Sequence, residues 1–343
     1  MNTIFVRSPF FITVNEIGQV GSKVELFIWN NPDTSPTEPN YTLSKTIAST
    51  TQIETNYNIS NYCKEFISHT FPEYDSLVPT IEDDSNYCNV RVKRYKLVGT
   101  TYTLLDTIDY IAVEGYTNYL GGINQYSVSN QLPLFNTDLV FNLIAGQSAY
   151  VNALLNVGDF NWSINGLDNL FSVTDYPKVI KLPITYNALS GLVEHELTSA
   201  YGRFSLFTNE ICEPKYTPVV CSFINRFGGW SFINFFKAQI NSIEVKGSEY
   251  NHYSQSVNYN VYDGQSKTFN LNGTQKVKLN TGWIPQNYSE LIQDLLLSEK
   301  VLLDNKPVKV ITKGTDLKTS LQNRNINYEM DFEYSFGLIN NNI

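Results

Sequence analysis

Charge is scarce in this chain of 343 residues: Asp, Glu, Lys and Arg together make up 17%, against roughly 25% in typical soluble domains. Positive charge is the scarcer sign, with 24 Lys+Arg against 33 Asp+Glu and a net charge of −9. Nucleic-acid affinity rests on a Lys/Arg surface, so sequence-specific nucleic-acid binding is not expected. Long apolar runs are also missing. Stretches such as Leu139 to Ala145 fall far short of the roughly 18–20 residues that cross a bilayer, and no membrane role is expected. Met1-Asn2-Thr3-Ile4-Phe5-Val6-Arg7 lacks the basic start and apolar run of a secretory signal.

Nucleophiles and metal ligands are few. The four cysteines, Cys63, Cys88, Cys212 and Cys221, form no CxxC pair and read as reduced, partly buried thiols. Of three histidines, only His195 is flanked by acids, in Glu194-His195-Glu196. On a strand the two carboxylates share one face and the imidazole takes the other, whereas a zinc-protease motif needs two histidines one helical turn apart. A structural or surface role is expected. His69 and His252 sit in polar stretches without a spaced partner.

Gly-x-Ser-x-Gly, Walker and Gly-x-Gly-x-x-Gly patterns are absent. Glu82-Asp83-Asp84 reads as a solvated acidic loop. Asp159-x-Asn161-x-Ser163 opens like a calcium loop, but Ile164 stands where the turn glycine belongs and Leu170 where the bidentate Glu belongs. Catalytic residues: none are assigned. Cofactor and metal sites: none are assigned either, and the chain is not expected to be an enzyme. Asn-x-Ser/Thr triplets at Asn40, Asn58, Asn161, Asn272 and Asn287 read as chance in a chain with 39 Asn.

What replaces the missing charge is neutral and aromatic: 39 Asn and 23 Tyr, with hydrophobic residues at 42% and aromatics at 14%. That supplies apolar mass for a core, and it favours sheet and turn over helix, since Tyr and Thr suit strands and Asn suits turns. The pattern agrees. Phe10, Ile12 and Val14 share one face, and Val24, Leu26 and Ile28 another. Cys88, Val90 and Val92 alternate with polar neighbours, and Thr103 to Val113 continues in strands. A short helical turn fits Asn61 to Ile67. Residues 1–115 therefore read as an immunoglobulin-like β-sandwich without the Cys…Trp…Cys pattern of antibody domains. Residues 116–190, broken by Gly121-Gly122, Gly146, Gly158, Gly166 and Pro177, read as a strand-rich connecting segment.

Residues 191–343 read as a C-terminal antiparallel β domain with one helix. An apolar hairpin runs from Pro218 to Lys237 around Gly228-Gly229. Val257, Tyr259 and Val261 alternate as a strand, and Thr268 to Leu271 is expected to pair with Thr274 to Lys278 across Asn272-Gly273. Asn287 caps a helix over 287–298 with Glu290 three residues on. The last strand sets Ile326, Tyr328, Met330, Phe332, Tyr334 and Phe336 opposite an acidic face of Glu329, Asp331 and Glu333. That face is either solvated or shared with another subunit. The fold class is mainly β: two antiparallel β-sandwich domains, a strand-rich link and one short helix.

Ser8-Pro9-Phe10-Phe11-Ile12, Phe223-Ile224-Asn225-Arg226-Phe227-Gly228-Gly229-Trp230, the helix with Leu295-Leu296-Leu297-Ser298-Glu299-Lys300-Val301, and the closing strand together resemble virion structural proteins of tailed phages infecting Bacteroidota, especially the crAss-like group. The resemblance touches both ends of the chain and leaves the middle uncovered. It implies a neck or tail ring around the DNA channel, built of about six or twelve copies with head-to-tail contacts. It also implies contacts with portal and tail proteins, and a location in the virion after assembly in the host cytoplasm. The alternative is a receptor- or carbohydrate-binding tail protein whose Tyr and Trp stack on sugars.

Overall fold

The computed structural model describes residues 2–30, 34–48, 54–70, 78–82, 84–121, 126–127, 131–144, 146–185, 191–211, 215–253, 257–258, 260, 262, 264–314, 316 and 325–340. Among them the fold is mainly β, with several sheets and two α-helices. By contacts the chain divides into two compact units, Met1–Cys212 with Phe223–Phe232, and Glu213–Ser222 with Ile233–Ile343. Residues 116–190 lie wholly within the first unit.

At the centre of the first unit is a six-stranded sheet in the order Tyr41–Thr46, Gly21–Trp29, Tyr87–Val98, Thr101–Val113, Asn2–Phe5, Tyr126–Ser127. Strand alternation gives it two apolar faces. On one, Val24, Leu26, Val90 and Val92 pack with Ile12 and Val14 of the Phe11–Asn15/Glu54–Asn58 pair. The helix Ser60–Lys64 adds Cys63 to that cluster, and Tyr62, Phe66 and Ile67 pack against it, on the side expected from their spacing. On the other face, Phe5, Tyr87, Ile111 and Val113 meet Leu134, Leu154 and Val179. Leu154 and Val179 belong to a four-stranded sheet ordered Gln131–Pro133, Ala149–Leu155, Lys178–Ile184, Thr80–Ile81. A five-stranded sheet follows: Val140–Leu143, Gly202–Glu210, Val193–Ser199, Gly158–Ile164, Leu167–Val173.

Not every pairing is antiparallel. Asn2–Phe5 runs parallel to Thr101–Val113, and Val140–Leu143 parallel to Gly202–Glu210. Parallel neighbours need long connections, and both pairs join segments distant in sequence.

A seven-stranded sheet has the order Trp230–Phe235, Val219–Ile224, Val301–Leu303, Lys306–Val310, Glu329–Gly337, Ser266–Asn280, Ile240–Asn251, and its last five strands lie in the second unit. The helix forms at Tyr288–Leu297, and it buries Tyr288, Leu291, Ile292 and Leu295 as its apolar stripe requires.

Two expectations for this region fail. The chain does not turn at Asn272-Gly273. It runs straight through, in the strand Ser266–Asn280, and pairs with Ile240–Asn251. The Asn272 side chain is spent elsewhere: its Nδ2 donates to the Ile339 carbonyl at 3.0 Å and its Oδ1 accepts from Ile339 N–H at 3.1 Å. Of the strand expected at Val257 to Val261, the described residues Val257, Asn258 and Asn260 lie outside any strand and Val257 is exposed, while Tyr259 and Val261 lie outside the described residues. In the closing strand Met330 and Phe332 are buried but Phe336 is 45% exposed, so the core ends before the strand does.

Candidate assembly surface

The strands Ile240–Asn251 and Ser266–Asn280 form a long ribbon that outruns the sheet supporting it. Glu329–Gly337 pairs with it only as far as Thr274↔Gly337. Beyond that point the ribbon has two strands, steadied by an edge-on Tyr250–Phe269 contact at 5.7 Å.

Its two faces differ in chemistry. Pairing sets Ile243 opposite Gln275 and Val245 opposite Gly273. Gly273 has no side chain, so Leu338 and Ile243 close over it: a Cβ there would lie 2.9 Å from Leu338 Cδ1 and 3.3 Å from Ile243 Cγ2. Leu271 covers Gly247 in the same way, 2.5 Å from where a Cβ would stand. Further along, this face is core: Val277, opposite Phe332, is 3% exposed. At the root of the overhang and beyond it the face is bare, with Ile243 at 64%, Val245 at 62%, Leu338 at 50% and Leu271 at 46%.

The other face is an ion-pair ladder. Lys276 pairs with Glu244 and with Glu333 (3.7 Å), Lys246 with Glu244 (3.5 Å), and Lys278 with Glu329 (2.8 Å). The Lys276 hydrogen bond and the charges of Lys246 and Lys276 hold the Glu244 carboxyl below its ordinary range. Glu329 and Glu333, read as part of an acidic face, look onto lysines of the neighbouring strand, and Glu329 and Asp331 are exposed to solvent, as a solvated face requires.

Ile240–Asn251 is also an edge. Among the described residues nothing pairs with its outer side, and every residue except Glu244 is exposed. The strand at the opposite end of that sheet, Trp230–Phe235, is buried throughout. Sequence alternation contained Ile243 and Val245, but not the fact that they overhang the core.

The chemistry-bearing residues of the first unit are walled in instead. Glu82 is 4% exposed rather than solvated. It accepts a hydrogen bond from Asn152 Nδ2 and lies 3.4 Å from Lys181 Nζ. Asp83 and the Asp84 side chain lie outside the described residues. His69, read as part of a polar stretch, is buried against Glu114 at 2.5 Å, with the Trp230 ring edge-on at 5.9 Å. Burial would raise the Glu114 carboxyl, but the His69 hydrogen bond and charge outweigh it and lower it.

His195 points inward between Glu194 and Glu196, is fully buried, stacks on Trp162 at 5.9 Å and meets Thr208 Oγ1 at 3.1 Å. Burial pushes its pKa down to about 4. His252 is exposed. Asp159 lies in a strand, accepting from Ser172 Oγ at 2.6 Å, not in a cation loop. Cys63, Cys88 and Cys221 are free and fully buried, and burial raises the Cys63 thiol to about 12. Cys212 lies outside the described residues.

The Gly228-Gly229 corner is more than a turn. Gly228, at φ 83°, leaves no room for a Cβ, which would stand 2.8 Å from Gly115 N. Asn225 ties the corner down, its Oδ1 accepting from Phe227 and Gly229 N–H while Nδ2 donates to the Leu134 carbonyl and Ser231 Oγ.

One open groove of about 610 Å³ lies on the five-stranded sheet, lined by Asp159, Asn161, Leu170, Phe171, Ser172 and Thr198, among others. Among the described residues no group of three or more His, Cys, Asp or Glu could hold a metal ion, and no helix is long and apolar enough to cross a membrane. The chain matches no protein family, no curated protein and no solved structure.

Proposed function

We propose that the chain is a non-enzymatic structural component of a phage virion, a ring-forming neck or tail protein that links the portal to tail parts around the DNA channel. The observation that carries this reading is the ribbon, whose bare apolar face and open strand edge continue a buried core. Apolar strips of this kind mark contact surfaces, and a long open edge invites another strand. The resemblance of both chain ends to virion proteins of crAss-like phages supplies the setting. A net charge of −9 suits a channel through which DNA slides without sticking. The layered cores fit stiff modules: we read the six-stranded sheet with its Phe11–Asn15/Glu54–Asn58 cover as one β-sandwich and the second unit as another.

In this reading the partners are other copies of the chain and neighbouring portal, neck and tail proteins. Native mass measurement of the isolated chain, with copy counting in purified particles, tests it. Multiples of about six or twelve are expected. A chain that stays monomeric and is missing from particles overturns the proposal.

The groove beside Asp159 favours a second reading, a carbohydrate-binding tail protein, because hydroxyls, an amide and a carboxylate line it next to Leu170 and Phe171. Particles that assemble without the protein but fail to adsorb to cells would favour that reading over the first.

A further inference from the structure

We infer that the edge strand Ile240–Asn251 pairs antiparallel with the same strand of a second copy, across a two-fold axis at Val245. The inference rests on the proposal that the ribbon is an assembly surface, and it names the contact.

The strand is built to be paired. It contains no proline, and although the ribbon is irregular between Lys246 and Ser248, the positive-φ residue there, Asn270, stands on the inner strand. The outer strand therefore keeps its alternation. The far edge of the same sheet, Trp230–Phe235, is buried along its length, so a neighbour cannot extend the sheet from that side. The open edge is left to meet its own kind.

A two-fold axis perpendicular to the sheet requires opposed residues to share a face, so the axis passes through a residue and not between two. Two registers overlap most. With Lys246 on the axis, that lysine faces Lys246 of the second copy, and Ile243 faces Glu249. With Val245 on the axis, Glu244 faces Lys246 of the second copy, and Lys246 faces its Glu244. Ile240 then stands opposite Tyr250, Ser242 opposite Ser248, and Asn241 opposite Glu249. Opposite charges directly across a strand pair stabilise it and like charges destabilise it, so the sequence selects Val245.

The pairing has a consequence for assembly. The same axis leaves both apolar strips on one side of the joined sheets, so Ile243, Val245, Leu271 and Leu338 of the two copies form one platform for a further virion part to cover. A contact of this kind is isologous, distinct from the head-to-tail contacts that close a ring.

Sedimentation velocity of the full chain over a concentration range, with two charge variants, tests the inference. Wild type is expected to dimerise. Glu244→Lys and Lys246→Glu each place like charges across the axis, and each is expected to weaken the dimer tenfold or more, on the order of what two reversed cross-strand pairs cost. Mixing the two variants restores opposite charges at both contacts, so a one-to-one heterodimer should form where neither variant pairs alone. Val245→Cys gives a second readout: the two thiols meet on the axis at a Cα separation of about 4.5–5.5 Å and should cross-link between copies under mild oxidation. A wild-type dimer indifferent to both variants, with no cross-link, overturns the inference while leaving assembly through another surface standing. A wild type that stays monomeric at every concentration overturns the inference and the ribbon's role in self-assembly together.

Discussion

Asparagine does in this chain what backbone amides do elsewhere. Its side chain is a peptide group on a short stem, one carbonyl and one NH₂, so it satisfies main-chain groups wherever strands leave them unpaired. Asn225 serves the corner at 225–230 from both ends. Asn58 Oδ1 accepts from Phe10 N–H and Ser60 N–H, and Asn30 Nδ2 donates to the carbonyls of Phe66 and Tyr87. This gives the 39 Asn a use beyond turns, and it explains how a chain short of charge holds irregular connections. Asn225→Asp removes both donors and sets a carboxylate against the Leu134 carbonyl in a buried site. The expected loss is about 3 kcal/mol, since each stranded buried group costs roughly 1–3 kcal/mol. Chemical denaturation checks it, and an unchanged midpoint would show that the corner is held by other means.

Strands whose side chains alternate in a single register were legible, as the burial of Val24, Leu26, Val90 and Val92 shows. The helix at Tyr288–Leu297 was legible for the same reason, its stripe repeating at helical spacing. Asn272-Gly273 was not, because the strongest local turn signal yields when a tertiary partner, here the backbone of Ile339, occupies the Asn side chain. The overhanging ribbon was invisible for a different reason. Ile243 and Val245 look like any half-buried strand, and only the place where Glu329–Gly337 stops shows that nothing covers them.

His195 displays the same alternation at its most consequential. The strand Val193–Ser199 turns both glutamates outward and seals the imidazole within, where it stays neutral down to about pH 4 against 6.5 for a free histidine. Between those values the unfolded chain binds a proton that the folded chain does not. Stability from this site is therefore complete above about pH 6.5 and falls as the pH drops toward 4, by about 3 kcal/mol over the whole window. His195→Phe should keep the stacking on Trp162 and flatten the pH dependence of the melting temperature between pH 6.5 and 5. That range lies above the titration of carboxyls such as Glu114, which is held low. Equal slopes in the two proteins would show that the ring is not sealed.

At the scale of the whole molecule, chemistry and exposure are segregated. The first unit keeps Glu82, His69, Glu114 and His195 inside, where they brace strands. The second unit carries an apolar face and a strand edge outward, the reverse of what a lone soluble domain requires. The scarcity of charge in the sequence thus has two outcomes, a core braced by amides and a ribbon with one face that charge does not guard. Hydrogen–deuterium exchange of the intact chain, at dilution and at assembly-forming concentration, tests most directly whether that ribbon is where the protein works. The account predicts that the outward-facing amides of Ile240 to Asn251, every second one along the strand, exchange fast at dilution and become strongly protected on assembly, with the strands around Val90 and Val92 protected in both. Assembly that leaves Ile240 to Asn251 exchanging as before, and protects another surface instead, would contradict it.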